Sequence, residues 1–102
     1  MKLYKSDKLK TTHKYGGLVL KATSEFGIFK LESGESLLPD THECPEIFYI
    51  IKGELTVIDP KDKEKLIAER GDIVFIPAKQ NHTSTNNGKE EVIGFWCMST
   101  GV

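Results

Sequence analysis

The chain has little cysteine, no excess of charge of one sign and no long apolar run, and each shortage removes a class of protein. Cys44 and Cys97 are its two cysteines, too few for a disulfide framework, so both are expected to remain thiols in a reducing compartment. Fourteen Lys and Arg against fifteen Asp and Glu leave a formal net charge of -1. There is no basic run and no aromatic-spaced basic stripe, so nucleic acid is not expected as a partner. The N-terminal stretch MKLYKSDKLKTTHKYGG is charged throughout, unlike a signal peptide, and no later run approaches the roughly 20 apolar residues of a membrane helix. A cytoplasmic protein with no membrane partner is the expectation. Helix signals are nearly missing as well.

What is present is strand rhythm. Short apolar or alternating runs recur between turn residues: GLVLKA, FGIFKLE, SLLPDTH, EIFYIIKG, ELTVID, EKLIAE, DIVFIP and EVIGFWCM. This pattern predicts an all-β sandwich or barrel. Glycines at 34, 53 and 71 and the Asn87-Gly88 pair break the runs where tight turns are needed. The segment from Asp59 to Lys65, DPKDKEK, opens on Asp-Pro and reads as a solvated loop between strands. With 102 residues and 38% hydrophobic content, the length suits one domain that hides about two thirds of its unfolded surface.

Between Gly34 and Gly53, Asp40, His42 and Glu46 stand at fixed offsets with a metal-site spacing. A second segment, from Gly71 to Asn86, places Pro77 at a strand end and His82 a few residues beyond. Together they resemble the two cupin motifs, G-x5-H-x-H-x3-E-x6-G and G-x5-P-x-G-x2-H-x3-N. The first is followed at Gly34, His42, Glu46 and Gly53, with Asp40 in place of the first histidine. The second is followed at Gly71, Pro77, His82 and Asn86, with Lys79 in place of the glycine. The resemblance implies a cupin double-stranded β-helix, a jelly-roll barrel, over residues 1–102, with an N-terminal arm to about residue 16 and motifs at 34–53 and 71–86.

It also implies a divalent metal ion held by His42, Glu46 and His82. Two imidazoles and one carboxylate leave open positions on iron(II), and the same set suits manganese or zinc; nickel and copper remain further candidates. Strand alternation puts Glu46, Phe48 and Ile50 on one face. If that face is the interior, Glu46 is a buried charge in need of a partner, and Phe48 with Ile50 forms the pocket floor. The plainer alternative is a pair of core histidines bonded to Glu46 without a metal.

Asp40 is open among three roles: a fourth ligand, a general base or orienting group behind His42, or a sign of a degenerate site. Cys44, between the candidate ligands, reads as a loop thiol facing away, and Cys97 as a small core residue. For Phe95 and Trp96 the sequence does not choose an inward face.

Cupins include dioxygenases, decarboxylases, isomerases and lyases, so the resemblance implies a scaffold before a reaction. The leading expectation is a metal-dependent enzyme of oxygenase or isomerase type acting on a small molecule. The alternatives are a non-catalytic barrel that binds a small ligand or metal, and a barrel that acts only through protein contacts. A homodimer is expected, because GLVLKA and FGIFKLE would leave apolar edges in a monomer.

Overall fold

The computed structural model describes residues 11–13, 16–17, 20–21, 24–40 and 43–99, with side chains described in 25–37 and 43–98. Within them the chain forms strands only: β1 (Thr11–His13), β2 (Gly16–Gly17), β3 (Leu20–Lys21), β4 (Ser24–Leu31), β5 (Ser36–Asp40), β6 (Glu46–Lys52), β7 (Leu55–Ile58), β8 (Lys65–Ala68), β9 (Ile73–Ile76), β10 (His82–Thr85) and β11 (Val92–Ser99). Among the described residues no helix is long and apolar enough to cross a membrane.

The strands form two antiparallel sheets. The larger runs β1-β2-β4-β11-β6-β9, with β3 also pairing with β4, and the smaller runs β5-β10-β7-β8. From β4 onward the chain crosses between sheets at nearly every connection. The last strand, β11, lies in the middle of the larger sheet, paired with β4 on one side and β6 on the other. This is the jelly-roll arrangement that the two motifs implied, within the all-β architecture that the alternating runs predicted.

Periodicity decides which residues fill the space between the sheets. In β6, Glu46, Phe48 and Ile50 are buried, whereas Ile47, Tyr49 and Ile51 remain 42 to 44% exposed. The core gathers Phe29 and Leu31 of β4, Leu55 and Val57 of β7, Val74 and Ile76 of β9, and Val92 of β11. Trp96 packs against this core. Phe95 pairs in register with Tyr49 and stacks at 5.9 Å on Phe26, which settles the face that the sequence left open.

Two glycines are fixed by close approach. Gly94 sits opposite Phe29 in the β4–β11 ladder, and a methyl group there would overlap the Phe29 ring. Gly53 has a φ of 83°, and a Cβ would lie 2.6 Å from the Glu91 carbonyl, so the β6–β7 turn excludes any larger residue.

Across β11, β6 and β9 the outer face of the larger sheet is apolar. Ile47 pairs with Phe75 and Tyr49 with Ile73 across β6 and β9, and on the other flank Ile47 pairs with Cys97 of β11. Ile73 is 67% exposed and Phe75 59%.

Candidate metal centre

Glu46 opens β6 directly after Pro45, and His82 opens β10 after the turn that starts at Pro77. The two strands belong to different sheets, and both side chains point inward, with 7% and 6% exposure. They meet with His82 Nε2 3.2 Å from Glu46 Oε1. A residue from each sequence motif is thus delivered to one point inside the barrel. The β5–β10 pairing shifts register between His82 and Ser84, an irregularity of the kind that re-aims a side chain next to a site.

The other ring nitrogen fixes the proton. His82 Nδ1 lies 3.1 Å from the Gln80 carbonyl. A carbonyl can only accept, so Nδ1 donates, and in the neutral ring Nε2 turns a lone pair toward the Glu46 carboxylate. The two groups meet where little water reaches, an arrangement suited to sharing a cation, whether a proton on the imidazole or a metal ion.

The donor set fits a divalent ion. Ligand atoms about 2.1 Å from one ion stand about 3.0 Å apart at a right angle and about 3.4 Å apart at the tetrahedral angle, a range that includes the observed 3.2 Å. Among the described residues no group of three or more His, Cys, Asp or Glu side chains forms a complete cage. Glu46 and His82 are a pair.

Of the other residues expected at the site, Phe48 and Ile50 lie on the same inward face as Glu46, 2% and 0% exposed. The Phe48 ring stands edge-on to the His82 imidazole at 6.3 Å, an apolar wall that lowers the local dielectric. Asp40 is the β5 residue whose Cα pairs with that of His82. His42 and the side chain of Asp40 lie outside the described residues. Cys44 is half-buried in the loop before β6, and Cys97 is half-buried on β11.

Further along the face of β10 are two polar residues with opposite circumstances. Asn86 is fully buried and saturated: its amide donates to the carbonyls of Leu31 at 3.0 Å and Glu90 at 2.9 Å, and its oxygen accepts from Gly88 N at 2.9 Å. The motif asparagine is therefore a clasp between turns. Ser84 is equally buried, yet its hydroxyl has no hydrogen-bond partner among the described residues. An unmatched buried hydroxyl costs about 1 to 3 kcal/mol.

Behind His82 lies a network that the sequence did not disclose. The Gln80 side-chain amide donates to Asp59 Oδ2 and to Glu64 Oε1, each at 3.0 Å. Asp59 in turn accepts from Lys61 N at 2.8 Å and Asp62 N at 3.2 Å. The hydrogen bond from Gln80, reinforced by those amides and the nearby Lys61 charge, holds the Asp59 carboxyl below its ordinary range. Asp59 was expected in a solvated loop; it is 6% exposed, because the turn folds back around its carboxylate. The Asp-Pro step at its start was the one available signal, since Asp favours such turns by bonding the backbone two or three residues on. Nothing in the sequence marked Gln80.

The sequence model of the cupin domain family matches residues 27–98. No curated protein is significantly similar in sequence. Among solved structures, an uncharacterised Klebsiella pneumoniae protein with a double-stranded β-helix domain superimposes with a TM-score of 0.81 at 18% identity, covering 99% of this chain and 91% of that one. The polyketide cyclase RemF from Streptomyces resistomycificus gives 0.80 at 16% identity, over 96% and 78% of the chains. A cupin superfamily protein from Desulfitobacterium hafniense gives 0.72 at 18% identity, over 80% and 72%. At such identities these neighbours share a fold. The family match spans the strands from β4 to β11 and both motif halves that meet at Glu46 and His82, and with it the chain belongs to the cupin domain family.

Proposed function

We propose that this cupin binds a divalent metal ion through His82 and Glu46, completed by His42 and open to Asp40 from the first motif, and acts on a small molecule as an enzyme of oxygenase or isomerase type. The observation that carries the reading is His82 Nε2 lying 3.2 Å from the Glu46 carboxylate inside the barrel while Nδ1 lies 3.1 Å from the Gln80 carbonyl. When bound, an ion of this kind polarises an oxygen-bearing ligand and leaves positions open for it. The protein's own contribution is the rest. Gln80 sets the imidazole tautomer, Phe48 excludes water beside it, and Ser84 offers a hydroxyl that no described protein group uses. The Streptomyces neighbour is a cyclase, but the two chains share a fold at 16% identity, so its reaction is not carried across.

A proton in place of the metal would give an imidazolium facing a carboxylate, and elemental analysis separates the two. Protein purified without a chelating column or EDTA is expected to carry about one equivalent of iron, manganese, zinc, nickel or copper per chain. His82→Ala and Glu46→Gln should lose it. Absence of metal from wild type, even after reloading, would retire the enzyme reading in favour of a metal-free ligand-binding barrel. For that second reading, the unused Ser84 hydroxyl is the supporting feature. Its signature is a ligand that raises the melting temperature and is recovered unaltered.

A further inference from the structure

Among the described residues, few contacts hold the turn that carries His82 into the barrel. Residues 77–81 make no strand pairing, and within the turn Gln80 N reaches the Pro77 carbonyl at 3.3 Å. Lys79 takes a φ of 67°, a left-handed conformation that costs a side-chain-bearing residue about 1 to 2 kcal/mol. Its ammonium lies 3.8 Å from Glu43, but both side chains are at least 75% exposed, and such pairs contribute little. Against this, the Gln80 side chain reaches residues 21 and 16 positions earlier in the chain, in the turn between β7 and β8. That turn is itself braced. Asp59 N donates to Glu64 O at 2.9 Å and Lys63 N to Asp59 O at 2.7 Å, so the two carboxylates present a fixed fork to the amide.

We propose that Gln80 is a positioning residue for the site: gripped by Asp59 and Glu64, it holds its own main-chain carbonyl against His82 Nδ1 and thereby keeps Nε2 turned toward Glu46. Both amide protons are committed, which orients the residue. Its carbonyl is then presented to the imidazole from a fixed platform. Without the grip, the turn pivots about the strained Lys79, the carbonyl drifts, and the imidazole samples its other tautomer. Groups that orient a metal-ligating histidine in this way typically change metal affinity by about 10- to 100-fold when removed.

The affinity arm of the test rests on the metal-binding reading above, and a second arm does not. Zinc(II) is titrated calorimetrically into metal-free wild type, Gln80→Ala, Glu64→Ala and Glu64→Gln. In parallel, the ring nitrogens of His82 are followed by nitrogen-15 NMR in the metal-free proteins. Gln80→Ala is expected to weaken zinc binding about 10- to 100-fold and to shift the ring nitrogens from one tautomer to a mixture. Glu64→Ala should move both readouts in the same direction by less. Glu64→Gln, which keeps an acceptor oxygen for the amide, should restore wild-type behaviour. Wild-type affinity together with unchanged ring nitrogens in Gln80→Ala overturns the proposal. If wild type itself binds no zinc, the metal reading fails separately, and the ring nitrogens decide alone: an unchanged tautomer in Gln80→Ala overturns it and a mixed one supports it. Should Gln80→Ala not fold, the two Glu64 variants carry the same comparison.

Discussion

At the scale of single residues, inward-facing polar groups divide by whether their bonds are complete. Asn86 has spent every hydrogen bond on the protein, so its replacement is a matter of stability. Asn86→Ala would strand two carbonyls and one amide in or near the core, and urea denaturation should show a loss of at least about 2 kcal/mol. A loss within the error of the fit would mean that the freed groups turn to water. The sequence could place Asn86 on the face of His82 but could not distinguish clasp from site, because its partners Leu31 and Glu90 lie on other segments. Glu46 and His82 were legible for two reasons: motif offsets named them, and strand parity gave Glu46 its direction. Gln80 was not, since a glutamine gains meaning only from carboxylates that a distant turn brings to it. Lys79 lies between these cases. The sequence showed the departure from glycine, and the structure shows that the turn keeps its left-handed backbone regardless.

At the scale of elements, the β7–β8 turn serves the site from outside the motifs. Its charge-rich sequence announced a loop, and a loop it is, but Asp59 at its root is buried and bonded by Gln80. Asp59 has a folded-state pKa below its ordinary value of 3.8. A lowered pKa means that the unfolded chain binds the proton more readily, so the stabilisation is complete above that ordinary value and is lost as pH falls through the lower folded value. Thermal denaturation across the acid range should therefore show a steeper loss for wild type below about pH 4 than for Asp59→Asn. Parallel acid profiles would show that the turn does not depend on this carboxylate. Element boundaries followed from punctuation: Gly34, Gly53 and Gly71 all sit at turns with positive φ, where the sequence placed breaks. The Phe95 and Trp96 faces were illegible because register after the Asn87-Gly88 turn is fixed by pairing with β4 and β6, not by local pattern.

At the scale of the whole molecule, the barrel was readable from alternating runs and two motifs, but its surface was not. FGIFKLE was expected to leave an apolar edge, but β4 is paired by β11 on one side and by β2 and β3 on the other; the exposed apolar feature is instead the outer face across β11, β6 and β9. Removing each 100 Å² of apolar surface from water is worth about 2.5 kcal/mol, and patches of this kind mark interaction sites. The chain is expected to sediment as a dimer, at twice its 11.4 kDa, and Phe75→Lys should shift it toward monomer. A wild-type monomer at micromolar concentration would remove the homodimer. The position of β11 has a separate consequence for how the protein comes into being. β11 is made after both β4 and β6 and fills the slot between them, so a nascent chain that has yet to emit residues 92–99 lacks the strand that joins these two parts of the sheet. Such topologies cannot be assembled piece by piece from the N-terminus, and their long-range pairings close slowly. Until synthesis reaches that strand, the apolar flanks of β4 and β6 remain open to whatever chaperone or neighbouring chain the cell provides.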